Sequence, residues 1–236
     1  MDAMRRDVVA GWGPDMAVTA VGGRVLAWCD GWMQEHPWDH NAHHHGWIER
    51  RLPRRIGTAL DVGCGTGDLV RRLSRRADHV TGLDADAATI DTARRLSAGE
   101  TGVDFRCDDL MTADLPGGYD VVTALAVLHH VPFEPALVRL RDLLAPGGTL
   151  LVLGLYREEV LADHVLSAAA VPANVVVGTV KTLRRGSAER PTAMSAPTAP
   201  ATTTLREIRD VARRRTPGAA VRRHLFWRCS LRYTAP

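Results

Sequence analysis

Residues 59–68 read ALDVGCGTGD, an apolar run of strand character followed by glycines at 63, 65 and 67 and then by an acid where a helix should begin. Residues without Cβ permit both a tight turn and a close backbone approach to a ligand. A strand that ends in such a turn and opens into a helix is therefore expected to carry a binding loop at Gly63–Gly65.

Working outward, strands and helices alternate. The predicted strands are Thr58 to Val62, His79 to Leu83, Val103 to Arg106, Tyr119 to Ala124 and Thr149 to Leu155. Between them the spacing predicts helices from about Gly67 to Ala77, from Asp86 to about Gly99 with Ile90, Ala93 and Leu96 inward, and from about Pro135 to Leu144. Parallel strands need crossovers, and right-handed crossovers stack helices on each face. The expected fold is α/β: a doubly wound, mostly parallel, seven-stranded sheet with helices on both faces. Two short strands, Ala220 to Phe226 and Arg228 to Thr234, complete the seven; they are too close for a crossover, so they form an antiparallel pair or one bent strand.

Elsewhere the rhythm fails. Residues 1–30 show little periodicity and read as an N-terminal extension; residues 31–236 form the domain, with an insertion or cap at about 156–204. Within it Arg157 to Val171 is one predicted helix, Gly186 to Thr204 a long Ala, Pro, Thr and Ser-rich loop, and Thr204 to Arg215 a final helix. The stretch from Trp32 to Leu52 is dense in Trp and His. At helical spacing His40, His44 and Trp47 share a face, which suggests a metal site, yet no carboxylate or cysteine completes a ligand set nearby. No metal is expected, and a cap over the active site is preferred.

The chain has 236 residues with a net charge of +3, its 30 basic residues interleaved with 27 acids, so no polyelectrolyte partner is demanded. The basic end with Arg213, Arg214, Arg215, Arg222 and Arg223 reads as a solvated face in preference to an RNA track. Four scattered cysteines, Cys29, Cys64, Cys107 and Cys229, fit free thiols in a cytoplasmic protein. The run from Val165 to Val180, interrupted by Pro172 and Asn174, is too short and broken for a spanning helix.

The detail of the loop narrows its ligand. A dinucleotide fingerprint needs its third glycine at position 68 and rests a pyrophosphate on the helix N-terminus. Here Gly67 is followed by Asp68. A carboxylate at that point satisfies the helix dipole and repels phosphate, as does Asp61, so the loop suits a cation or a zwitterion with a free ammonium. Asp84, 21 positions after Gly63, ends the second strand where an acid can accept from both ribose hydroxyls; Asp109, or Asp108 beside it, ends the third where a carboxylate can accept from an adenine amino group.

With these residues the sequence resembles the class I S-adenosylmethionine-dependent methyltransferases. The resemblance rests on ALDVGCGTGDL at 59–69, VTGLD at 80–84, CDDL at 107–110, YDVVTALAVLHHV at 119–131 and LLAPGGTLLV at 143–152, and covers about 31–236. The LHHV ending and FWRCSL at 226–231 look like bacterial small-molecule methyltransferases, many of them actinobacterial. The resemblance implies a Rossmann-like methyltransferase fold that binds S-adenosyl-L-methionine and releases S-adenosyl-L-homocysteine. It places the methionine part at Gly63, Cys64 and Gly65 with its ammonium near Asp61, the ribose at Asp84, the adenine at Asp109 and Leu110, and the methionine edge at Ala124 or Leu125. Similar sequences often present a tyrosine from the helix before the first strand, where this chain has His43, His44 and His45.

Methyl transfer from a sulfonium mainly requires alignment and exclusion of water, helped by a general base when the acceptor is protonated. His129, His130 and His44 are the candidates; singly, His129 and His130 more readily cap a helix or pack under the loop. The expected acceptor is an oxygen or nitrogen of a compact, partly hydrophobic small molecule such as a specialised metabolite. A non-methylating rearrangement or cyclisation, a binding module, and RNA methylation are the alternatives. Nucleic acid and membrane partners are disfavoured, and a homodimer is left open.

Overall fold

The computed structural model describes residues 32, 43–185, 199–225 and 228–236. The predicted extension at 1–30, His40, Trp38 and most of the loop at 186–204 lie outside the described residues. The chain divides into two compact units, one of His40–Glu158 with Ala201–Pro236, the other of Met1–Asp39 with Glu159–Pro200.

The first unit opens with a short helix α1 (His45–Glu49) and continues as β1 (Ile56–Val62), α2 (Asp68–Leu73), β2 (Ala77–Asp84), α3 (Ala87–Leu96), β3 (Val103–Cys107), β4 (Tyr119–Leu125), α4 (Phe133–Asp142) and β5 (Leu144–Leu155). The second unit supplies α5 (Leu161–Arg185), after which the first resumes with α6 (Leu205–Arg215), β6 (Ala220–His224) and β7 (Arg228–Thr234).

The seven strands form one sheet in the order β3-β2-β1-β4-β5-β7-β6, with β7 antiparallel to both β5 and β6. The remaining neighbours pair in parallel. This is the expected doubly wound, mostly parallel α/β sheet. Side chains alternate between two cores, as a strand buried on both faces requires. Leu60, Val122 and Leu150 face Leu137 and Leu140 of α4 and Val211 of α6, while Ala59, Val121 and Leu151 face Val70, Ile90 and Ile48 of the helices on the other side. Because all parallel crossovers run one way, the carboxyl ends of β1 to β5 share one edge, and ligands of such sheets bind there.

Some local expectations differ from the structure: the helix expected to reach Ala77 ends at Leu73, and Ala77 already opens β2. Leu96, the last residue of α3, is 55% exposed, while Ile90 and Ala93 are buried. The helix predicted to stop at Val171 runs to Arg185 through Pro172. Proline removes one N–H donor and crowds the preceding turn, but the helix continues on both sides of it, from Leu161 to Arg185. β5 begins at Leu144, since Leu144 pairs with Tyr119 before an irregularity re-sets the register at Thr149.

Within the second unit, Asp163 Oδ2 accepts from Glu159 N and Val160 N at 3.0 and 3.1 Å at the start of α5, and Trp32 Nε1 donates to Thr179 Oγ1 at 2.8 Å. No helix among the described residues is long and apolar enough to cross a membrane.

α6 is anchored by a capping box: Thr204 Oγ1 accepts from Glu207 N at 3.2 Å and Glu207 Oε2 accepts from Thr204 N at 2.7 Å. Thr204→Ala should cost about 1 kcal/mol in urea unfolding, the usual value of a lost N-cap. Arg214 and Arg215 on the same helix meet Glu134 of α4 at 3.2 and 2.7 Å, and Arg213 pairs with Asp210.

Candidate functional site

The loop after β1 is pinned by its own backbone: Gly63 N and Cys64 N both donate to Leu83 O of β2, at 2.7 and 3.0 Å. Gly63 has φ +64, and a Cβ there would lie 2.1 Å from Val127 Cγ2, so a side chain from the loop beyond β4 fills the space. Gly65, at φ +53, is the reverse case: a Cβ would meet nothing within 4 Å. Its backbone faces open space, the cradle a ligand would need. Gly65 N donates to Asp84 Oδ2 at 2.9 Å, and Asp84 Oδ1 accepts from Asp86 N at 3.0 Å, so the ribose candidate also holds the loop in place.

Beneath the loop lies Asp61, 2% exposed. Thr123 of β4 donates to Asp61 Oδ1 at 2.6 Å. Burial pushes this carboxyl up to about 7; the Thr123 bond and nearby His45 oppose the shift, and Asp84 adds to it. A carboxylate kept from water without a full counter-charge is a site for a cation.

Asp68 behaves differently. His45 Nδ1 lies 3.3 Å from it, Arg72 Nε 3.6 Å and Arg71 Nη2 3.8 Å. The facing imidazole, with the arginines, holds the carboxyl down to about 2 against partial desolvation. Its charge is answered locally, so the bias against a pyrophosphate rests on Asp61 and Asp84 more than on Asp68. His45 is thereby the imidazole of α1 that reaches the loop's helix, a residue that spacing alone did not separate from its neighbours; its burial at i with Ile48 at i+3 is the helical signal for it. His44 lies with its ring edge-on to His224, the centroids 5.7 Å apart.

At the end of β3, Asp108 Oδ1 accepts from Asp109 N at 2.9 Å and Asp109 Oδ1 accepts from Met111 N at 2.6 Å. Asp109 is exposed and starts a turn, while Leu110 beside it is buried and its carbonyl accepts from Arg139. Cys64 is buried, and burial with the carboxyls of Asp61 and Asp84 raises its thiol well above the usual range. It packs, and it is no nucleophile. Among the described residues no group of three or more His, Cys, Asp or Glu is placed to hold a metal ion.

Beyond Ala124 and Leu125, both buried, the chain turns sharply. Ala126 has φ +54 and donates from its N–H to Leu153 O at 2.7 Å. That turn sets Val127 against Gly63 and leads into His129 and His130, whose rings are 4.0 Å apart. His129 borders a narrow cleft with a free volume of about 20 Å³, lined among the described residues by Leu128, Phe133, Val152, Ile208 and Leu231. Burial lowers the His129 pKa to about 4, with His130 and Arg228 adding to the effect. Thr203, Cys229 and Gly154 also border the cleft, at the same end of the sheet as the glycine loop. No sequence signal marked Ile208, Cys229 and Leu231 as neighbours of His129, because they come from α6 and β7.

A family model described as a methyltransferase domain matches residues 59–148. An uncharacterised methyltransferase of Mycobacterium bovis is 36% identical over 208 residues, 86% of this chain and 99% of that protein. A ubiquinone biosynthesis O-methyltransferase of Pseudomonas paraeruginosa is 39% identical over 107 residues, 43% of this chain and 46% of that protein. Among solved structures, the DhpI–SAH complex is similar at a TM-score of 0.56 and 22% identity, over 89% of this chain and 95% of that one, a likeness of fold.

Proposed function

The chain belongs to the class I S-adenosylmethionine-dependent methyltransferases, and from that premise we propose that it transfers a methyl group from S-adenosyl-L-methionine to an oxygen or nitrogen of a compact, partly apolar small molecule. The observation that carries this reading is the buried Asp61 carboxyl beneath a glycine loop whose Gly65 backbone is open to a ligand.

These residues fit the cofactor. Asp61 would take the ammonium of the methionine part, the backbone of Gly63 to Gly65 would line it, Asp84 would accept from the ribose, and Asp109 with Leu110 would border the adenine. The bound sulfonium supplies an activated methyl group. What remains for the protein is to orient an acceptor, exclude water and take up a proton, and on this reading His129 takes up the proton. The name of the Pseudomonas relative specifies an oxygen acceptor for that protein, but this chain covers only about half of it.

Calorimetric titration with S-adenosylhomocysteine tests cofactor binding, and a screen of small molecules with methyl-labelled cofactor tests transfer. Turnover of an acceptor without label in the product would overturn methyl transfer. Asp84→Ala should weaken S-adenosylhomocysteine binding by about 1–3 kcal/mol, or roughly 5- to 150-fold in Kd, through lost charge-assisted hydrogen bonds. Unchanged affinity in that variant would remove Asp84 from the site.

A further inference from the structure

We propose that the β6–β7 edge of the sheet carries, on the side facing α1, a binding site for a phosphate group built by the guanidiniums of Arg50, Arg51, Arg222 and Arg232. β4 and β5 separate this edge from the strand that ends in the glycine loop, so the site is distinct from the cofactor loop.

The sheet register assembles one half of it. Arg232 and Ser230 of β7 lie opposite Leu151 and Leu153 of β5, whose side chains pack with Trp47 and Ile48 of α1. Ala220, Arg222 and His224 of β6 lie opposite Arg232, Ser230 and Arg228 in turn. Paired residues project from the same face, so Arg222, His224 and Arg232 stand on the side of α1. Arg222 and Arg232 are diagonal neighbours there, a separation that long side chains span. Both are exposed, as is Arg50.

α1 brings the other half. Its Trp47 is buried and serves as a platform: the Arg51 guanidinium lies 4.5 Å from the ring centroid, and Arg51 Nη1 donates to Trp47 O at 2.9 Å. The His224 ring meets Trp47 edge-on with centroids 6.0 Å apart, and its Nε2 lies 2.7 Å from Ser230 Oγ. A guanidinium held by stacking and one hydrogen bond keeps its remaining N–H groups oriented for a ligand. Burial lowers the Arg51 pKa, and the charges of Arg50, Arg222 and Arg232 lower it further. Burial lowers that of His224 too, with Arg51 and Arg222 adding to the effect. Among the described residues none of the four arginines forms an ion pair, so they meet as like charges. A bound anion relieves that repulsion.

The kind of anion follows from the arrangement. A carboxylate offers two oxygens, whereas a phosphate group carries about two negative charges near pH 7 and offers three acceptor oxygens that several guanidiniums can share. A nucleic acid requires a track of positive charge that follows its backbone. The neighbouring basic run of Arg213, Arg214 and Arg215 does not extend the cluster into one: α6 packs on the opposite face of the sheet, and these charges are met by Asp210 and Glu134. The cluster therefore takes a compact phosphate or diphosphate, carried by a soluble small molecule or by a lipid headgroup.

The test titrates inorganic pyrophosphate calorimetrically into the full chain, without S-adenosylhomocysteine, in a chloride buffer free of divalent cations. Saturable binding is expected, weakened at least ~10-fold in Arg222→Gln/Arg232→Gln and less than ~3-fold in Arg213→Gln/Arg214→Gln, which removes the same number of charges from the other face. Equal losses in the two variants reveal only the diffuse field of a basic protein and overturn the inference. Absence of saturable binding to the unaltered chain overturns it as well, even if a variant does not fold, and so does binding of a single-stranded RNA where pyrophosphate does not bind. Once pyrophosphate binds, co-sedimentation with phosphatidylglycerol vesicles, set against phosphatidylcholine vesicles, separates the sources: sedimentation abolished by Arg222→Gln/Arg232→Gln assigns the phosphate to a lipid headgroup, and no sedimentation assigns it to a soluble molecule.

Discussion

Replacing Asp61 with asparagine is expected to lower S-adenosylhomocysteine affinity by about 2–4 kcal/mol and to abolish the proton release that accompanies binding. In the free protein this carboxyl, buried and pushed up to about 7, is largely protonated at pH 6. A bound ammonium favours the carboxylate, so binding at pH 6 expels a proton, and affinity should rise with pH until it levels off above about 7. Calorimetry in buffers of different ionisation enthalpy reads the released proton directly, and a pH-independent affinity in the unaltered protein would contradict the role given to Asp61. The same shift governs stability. The folded state binds this proton more tightly than the unfolded chain, whose carboxyl titrates near 3.8. The contribution is complete below that value and is lost as pH rises through about 7, by up to ~4 kcal/mol. In Asp61→Asn the decline in melting temperature across that window should flatten.

Gly63→Ala should be comparably severe, for a reason of shape. Its Cβ would be placed 2.1 Å from Val127 Cγ2 at a φ of +64. The left-handed backbone costs an alanine ~1–2 kcal/mol, and forcing a methyl into filled space adds about 1–3 kcal/mol. Together these are a large part of a typical domain's stability. Val127→Ala removes both methyls, at 2.1 and 3.4 Å, and leaves Val127 Cβ at 3.3 Å. The double variant should therefore recover the packing part of the loss in urea unfolding and retain the backbone part. Additive losses in the two single variants would show that the two loops are not in contact.

What the sequence made legible was short-range. The glycines at 63 and 65 and the acids at 61, 84 and 109 stand at strand ends that alternation locates, and the seven-stranded sheet follows from the same rhythm. The antiparallel placement of the last strand was left as one of two readings, since only its proximity to β6 was visible. The contents of the cleft were hidden. His129 carries a local motif, but Ile208 and Leu231 meet it only because β7 inserts between β5 and β6. Nor could spacing show that Val127 fills the void at Gly63, or that His45 answers the charge of Asp68, because both contacts join segments whose separation follows no period. Pro172 misled for the opposite reason, a strong local breaker within a segment that is helical on both sides.

The position of β7 also bears on the order in which the protein can assemble during synthesis. β1 to β4 pair among themselves, so the half that carries Asp61, the glycine loop and Asp84 can close as soon as β4 has left the ribosome. β5 then waits with one edge open until Arg228–Thr234 arrives, and an unpaired edge strand invites pairing with another chain. A nascent chain halted before β7 would therefore hold the paired β1 to β4 beside an aggregation-prone edge of β5.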